Sequence, residues 1–372
     1  MAHKTIVIIG PGHPLRGGLA TFNQRLCKAF IDEGHTCSIY SFSLQYPSFL
    51  FPGKTQYSTD PAPTGIDIYP VINSVHPLNW VQIGNALQRI RPDIIVVRYW
   101  IPFMGPALGS VLRRVKKNKH TRIVAITDNV IPHEKRPFDA PFTRYFLNSC
   151  DAFITMSEKV MTDLRTFEKN KPAQEILHPV YDNFGEPFAR EEARKKLGLD
   201  PTQKIILFFG FIRRYKGLDI LFEAMALLKQ QNIKLLVAGE FYEDEKPYRE
   251  QIKRLGIEDN LILRTEFIPD SEVKYYLCAA DAVIQPYRDA TQSGVTPLAY
   301  HFEKPMVVTN VGSLPKFVPN EKAGLVCEPE PASLAAAIIR YFELGEQHFI
   351  PFLRTEKTKY SWHSLVKTVL EI

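Results

Sequence analysis

Short apolar runs recur along the chain and alternate with stretches of helical periodicity. In the first half the runs are Thr5 to Ile9, Thr36 to Phe42, Ile66 to Val71, Ile94 to Arg98, Thr121 to Thr127 and Asp151 to Met156. Helices are predicted between them at Leu19–Glu33, Asn79–Arg91, Pro106–Lys117, Arg144–Ser149 and Glu158–Phe167, the last opened by Ser157 as N-cap. The second half repeats the plan. Its strands are Ile205–Phe209, Lys234–Ala238, Leu261–Thr265, Ala282–Ile284, Met306–Thr309 and Leu325–Val326. Its helices are 191–197, 218–230, 245–255, 270–279, 295–302, 331–344 and 361–371. Continuous apolar strands alternating with helices belong to parallel sheets covered on both faces. The pattern therefore predicts an α/β protein of two Rossmann-like, doubly wound domains facing a cleft. The polar, Gly/Pro-bearing stretch 182–188 reads as the linker, dividing 1–182 from 183–359, with helix 360–372 packing back on the first domain. Residues 45–65, rich in proline and aromatics, read as a long loop.

Length agrees with two cores, since 372 residues exceed what one usually serves. The composition, 45% hydrophobic and 23% charged, is ordinary for a soluble protein. No apolar run reaches a membrane span, and MAHKTIVIIG leads straight into a strand, so no signal peptide is predicted and the expected location is cytoplasmic. Five scattered cysteines with no C-x-x-C pair point to reduced structural thiols and to no metal site. The net charge of +6 is uneven: residues 1–182 carry 21 Lys and Arg against 14 Asp and Glu, while the rest is at −1. A basic first half suits an anionic acceptor or an anionic membrane surface; a solvated face accounts for it equally. Nothing resembles a C₂H₂ or RNP-type motif, so nucleic acid is not an expected partner.

Candidate chemistry sits where strands give way to helices. The first strand ends in Gly10–Pro11–Gly12, but Leu15 stands where G-x-G-x-x-G requires its last glycine, so a nicotinamide cofactor is unsupported. Gly53–Lys54–Thr55 imitates a Walker A fragment, with Ser48 where the first glycine belongs. Gly17 and Gly18 open the first helix and either admit a ligand to its N-terminus or only permit the turn. In the second half, Ile205–Phe209 ends in Gly210 and then presents Arg213, Arg214 and Lys216, side chains that pair with phosphate. About 75 residues later Asp289 to Gly294 opens onto helix 295–302, an anion seat of exposed backbone amides built on Thr291, Gln292, Ser293 and Gly294. Asp128 ends the strand Thr121–Thr127, where a carboxylate either orients a substrate hydroxyl or caps the next turn. His133 and Glu134 follow, read as an ion pair or as part of the same site.

These stretches resemble the family-4 retaining glycosyltransferases of the GT-B fold. The likeness rests on GGLATFNQRL (17–26), DNVIPHE (128–134), GFIRRYKGLDILFEAM (210–225) and PYRDATQSGVTPLAYHFEKPMVVTNVGSLPKFV (286–318), and it spans nearly the whole chain. It implies transfer of a sugar from a UDP- or GDP-linked donor to a glycan or lipid-linked acceptor, with retention and without a cofactor or essential metal. It puts Lys216 on the family lysine of the donor diphosphate. The family arginine falls near Phe211, so Arg213 must reach in its stead. Two family glutamates fall on Ala290 and Leu298, which leaves the donor ribose to Glu240. The alternatives are a catalytically impaired nucleotide-sugar-binding protein, favoured by that missing pair, and a sugar-nucleotide epimerase on the same architecture.

Overall fold

Each of the apolar runs becomes a strand of a parallel sheet. The structure, a computed structural model, describes residues 2–47, 51, 55–132, 137–290 and 293–372. It divides into one unit of Met1–His178 with Ser361–Ile372 and a second of Pro179–Tyr360.

In the first unit the order is β1 (Thr5–Ile9), α1 (Gly18–Asp32), β2 (Thr36–Leu44), β3 (Asp67–Asn73), α2 (Pro77–Ile90), β4 (Ile94–Tyr99), α3 (Gly105–Val115), β5 (Arg122–Thr127), α4 (Asp139–Leu147), β6 (Ala152–Thr155), α5 (Glu158–Arg165) and β7 (Ala173–Glu175). The sheet runs β3-β2-β1-β4-β5-β6-β7. Val7, Ile9, Ile95, Val97, Ile123 and Phe153 meet Leu108, Leu112, Val115 and Phe146 in its core. Every residue of β4 is buried, which is why that segment reads as an unbroken apolar run. The short edge strand β7 has no apolar signature. It forms because its backbone pairs with β6, Phe153 N donating to Pro172 O at 3.0 Å next to the ladder.

The second unit contains α6 (Arg190–Leu197), β8 (Lys204–Phe209), α7 (Leu218–Leu227), β9 (Ile233–Ala238), α8 (Lys246–Leu255), β10 (Leu261–Arg264), α9 (Val273–Ala279), β11 (Ala282–Gln285), α10 (Val295–His301), β12 (Met306–Thr309), α11 (Leu314–Phe317), β13 (Gly324–Cys327), α12 (Pro331–Leu344) and α13 (Glu346–Glu356). Its sheet runs β10-β9-β8-β11-β12-β13. The helix α13, absent from the sequence reading, carries Pro351 inside it, a residue that works against a helical pattern. The chain ends in α14 (Trp362–Glu371), which belongs to the first unit. There Trp362 lies 4.9 Å from Phe22 of α1, centroid to centroid, and His363 contacts Glu33 at 3.0 Å.

Both sheets reverse their winding at one point, between β1 and β4 and between β8 and β11. In open parallel sheets ligands bind outside the carboxyl ends of the strands that flank such a switch point. All five cysteines are buried and free. Among the described residues no helix is long and apolar enough to cross a membrane.

Candidate functional site

The cationic turn and the small-residue loop singled out in the sequence follow β8 and β11, the two switch-point strands of the second unit. The path of β8 continues past Gly210: Ile212 N donates to Glu240 O at 2.8 Å and Tyr242 N to Ile212 O at 3.0 Å, tying the turn to the end of β9. Arg213 is extended, Arg214–Lys216 make one tight turn, and Gly217 closes it in the left-handed region at φ 67°. A Cβ on Gly217 would stand 1.9 Å from Pro286 O, so only glycine lets the turn lie against the loop after β11. Arg288 N donating to Tyr215 O at 2.7 Å makes a second tie between the same loops.

This packing sends the Lys216 side chain inward. It is 9% exposed, and its Nζ lies 3.1 Å from where a Cβ of Gly210 would stand, with Val295 Cγ2 of α10 at 3.8 Å from that point. The Tyr287 ring centre is 5.7 Å from Nζ, and the Tyr287 hydroxyl is 3.2 Å from Ser293 Oγ, which also accepts from Val295 N at 3.2 Å. Tyr287 therefore touches both segments and brings the turn 213–216 and the loop at 293–294 to one place. Among the described residues Lys216 Nζ has no hydrogen-bond acceptor and no carboxylate partner. Burial, with the Arg213 guanidinium next to it, brings this ammonium down to about 8. Burial also raises the Tyr287 phenol, which stays protonated as a hydrogen-bonding group.

Arg213 is exposed and lies 5.3 Å above the Tyr242 ring. Phe211, at the position of the family arginine, stacks on Tyr242 with centroids 4.1 Å apart, and Phe267 lies 6.3 Å from it on another strand end. Glu240 is buried just beyond β9. Ala290 and Leu298 are buried as well. Gly294 is exposed, with Tyr181 3.7 Å from where its Cβ would be. Thr291 and Gln292 lie outside the described residues, as do His133, Glu134 and the Gly53–Lys54 pair.

The remaining predicted positions are in the first unit. Gly17 is the N-cap of α1 at φ 101°, Gly18 is its first residue, and no side chain caps that helix. Asp128 sits past the end of β5 and is held by Arg98 of β4, Nε to Oδ2 at 2.6 Å and Nη2 to Oδ1 at 2.5 Å. The Arg98 guanidinium stacks on Phe22 at 4.0 Å. Sequence reasoning named neither Tyr287 nor Arg98. Tyr287 lies two residues past the end of β11, where ligand-facing side chains are common in such sheets; Arg98 gave no local signal, because its partner is 30 residues away. Among the described residues no cluster of three His, Cys, Asp or Glu could hold a metal.

Comparison with known proteins supplies the family. The profile described as Glycosyl transferases group 1 matches residues 189–349, and that described as Glycosyltransferase Family 4 matches residues 16–180. The chain belongs to the family-4 glycosyltransferases of the GT-B fold. Among members of this enzyme family, it is 30% identical over 197 residues to the lipopolysaccharide core biosynthesis mannosyltransferase LpsB of Rhizobium meliloti, a match that spans 50% of this chain and about half of that one (53%). It is 23% identical over 382 residues to an uncharacterised glycosyltransferase of Methanocaldococcus jannaschii, 96% of this chain and 94% of that one. In fold it is similar to the sucrose-phosphate synthase of Thermosynechococcus elongatus, with a TM-score of 0.74 at 15% identity over 98% and 97% of the two chains. It is likewise similar to WaaG, a glycosyltransferase involved in lipopolysaccharide biosynthesis, with a TM-score of 0.70 at 18% identity over 98% of each.

Proposed function

We propose that this glycosyltransferase moves a sugar, with retention and without a metal, from a UDP- or GDP-linked donor to a glycan or lipid-linked acceptor in cell-surface polysaccharide synthesis. The observation that carries this reading is the buried Lys216 ammonium with no counter-charge among the described residues, linked to Ser293 through Tyr287. A buried cation without a partner is costly, and a diphosphate supplies the missing anion. As the bond from the anomeric carbon to the phosphate oxygen breaks, its electron pair stays on that oxygen. Lys216, Arg213 and the amides at Ser293–Gly294 stabilise the growing charge, a role in which one preorganised donor contributes about 100- to 1000-fold in rate. Phe211, Tyr242 and Phe267 present ring faces on which a nucleobase can stack, and Glu240 is the candidate for the ribose. Gly17 and Gly18 are candidates for contact with phosphate or acceptor. Asp128, fixed by Arg98, is the candidate that orients a sugar or acceptor hydroxyl. The names of LpsB and WaaG support a surface-glycan acceptor.

The test is Lys216→Ala assayed for transfer against pooled acceptors with UDP- and GDP-sugars. A folded variant that loses most turnover supports the reading, and near-normal turnover removes Lys216 from the mechanism. One observation favours a second reading, a donor-binding protein without catalysis: both family glutamates are replaced, by the buried apolar residues Ala290 and Leu298. Donor binding by calorimetry with neither transfer nor hydrolysis in the unmodified protein would select it.

A further inference from the structure

A charged cavity lies at the other end of the second sheet from Lys216, by the amino ends of β8, β11 and β12. It measures about 520 Å³ and falls wholly within the second unit. Phe188 and Phe342 give it apolar walls. Four cations, Arg190, Arg194, Lys204 and Lys304, line it together with the carboxylates of Glu191 and Asp281. Glu346, at the start of α13, joins the cluster through Arg190 and Lys304. Asp281 is fully engaged: Arg190 Nη1 and Arg194 Nη2 each meet it at 3.1 Å, and Ile205 N donates to it at 2.7 Å. Arg194, 3% exposed, spends its other donors on Ala279 O at 2.9 Å and Pro201 O at 2.7 Å, so it is a brace.

Around the other two buried cations, donors outnumber acceptors. Arg190 Nε is shielded from solvent and has no hydrogen-bond partner among the described residues. Lys304, 7% exposed, donates to Glu346 Oε1 at 3.1 Å, and its other two N–H groups have no acceptor among the described residues. Burial holds this ammonium below the ordinary lysine range, against the pull of Glu346. The first turn of α6 adds backbone amides with no side-chain cap, since Ala189 is its N-cap. Ion pairing thus accounts for Arg194 and Asp281 but leaves a positive charge and donor hydrogens over at Arg190 and Lys304, a costly arrangement away from water. An oxyanion accepting from both removes the deficit, and phosphate suits a guanidinium and an ammonium together. We propose that this cavity binds a phosphate group, as the free ion or as a small monoester whose carbon body lies against Phe188 and Phe342. The site is distinct from the turn 213–216 and holds whether or not the transfer chemistry is as proposed.

The experiment is calorimetric titration of the whole protein with inorganic phosphate, glycerol 3-phosphate and glycerol, repeated on Lys216→Ala. The expected result is a saturable phosphate site that Lys216→Ala retains and that glycerol does not fill. Tighter binding of glycerol 3-phosphate assigns the cavity to a monoester, and equal or tighter binding of inorganic phosphate assigns it to the free ion. Arg190→Gln and Lys304→Gln are each expected to weaken the site about tenfold to a hundredfold, as loss of a charged donor does. Two exposed positions test the sign of the site without touching its ion pairs. Lys204→Gln is expected to weaken binding about twofold to fivefold, and Glu191→Gln, which removes a carboxylate with no cation partner among the described residues, to tighten it about as much. Thermal midpoints show that each variant is folded. No binding of either phosphate, or affinity unchanged in Arg190→Gln, Lys304→Gln and Glu191→Gln, overturns the inference and leaves the cluster a brace. Binding that Lys216→Ala abolishes and Arg190→Gln preserves also overturns it, since the phosphate then sits at the turn 213–216.

Discussion

The two sheets wind alike, and each brings a buried cation near its switch point, but the two cations are treated differently. In the first unit Arg98 is met by Asp128 through two short hydrogen bonds and covered by Phe22. In the second, Lys216 is buried against Tyr287 with no anion among the described residues. A guanidinium in a closed pair is spent on holding two strand ends together. An ammonium left alone destabilises the empty protein and gains when an anion arrives. The same architecture thus yields a brace in one unit and a candidate ligand grip in the other, and the partner decides which.

Breaking the pair is expected to have the largest effect. Arg98→Ala strands the Asp128 carboxylate and is predicted to cost about 3–5 kcal/mol in denaturant unfolding, whereas the double change Arg98→Met with Asp128→Leu recovers most of that loss. Lys216→Ala comes next, with a fall of about 100- to 1000-fold in kcat/KM and an unchanged or raised thermal midpoint at neutral pH. A fall in both stability and rate would mean that Lys216 is a brace like Arg98. Gly217→Ala follows. Its Cβ would meet Pro286 O at 1.9 Å, whereas the Cβ of Gly256→Ala, also left-handed, meets nothing nearer than Lys229 Nζ at 3.5 Å. The first is predicted to cost about 2–3 kcal/mol with a raised donor KM, and the second about 1 kcal/mol with donor KM unchanged. Phe211→Ala is the smallest, weakening the intact nucleotide by about 1–3 kcal/mol on the stacking scale while leaving inorganic pyrophosphate unaffected.

Local signals carried the fold a long way. The apolar runs marked the strands from β1 to β6 and from β8 to β13 because strands buried on both faces need no alternation. Gly210 and Gly217 framed the cationic turn, and Ser293 and Gly294 marked the second loop. What joins these loops was not legible. Tyr287 touches both Lys216 and Ser293, and its contact with Lys216 depends on how β8 lies next to β11. The Arg98–Asp128 pair spans neighbouring strands for the same reason. The strand β7 has no pattern in its Ala-Gln-Glu sequence, and α13 holds Pro351 within it, so neither has a clean local signature.

The central claim is that Lys216 awaits a diphosphate, and proton linkage tests it most directly. With the ammonium at about 8 in the empty protein, nucleoside diphosphate binding must draw in a proton at alkaline pH, so affinity falls as pH rises through about 8. Calorimetric titration of UDP and GDP near pH 8.5 in buffers of different ionisation enthalpy reads that uptake. The account predicts fractional proton uptake with one of the two nucleotides, and weak binding without uptake by Lys216→Ala. Equal affinity and equal proton balance in the two proteins would contradict it.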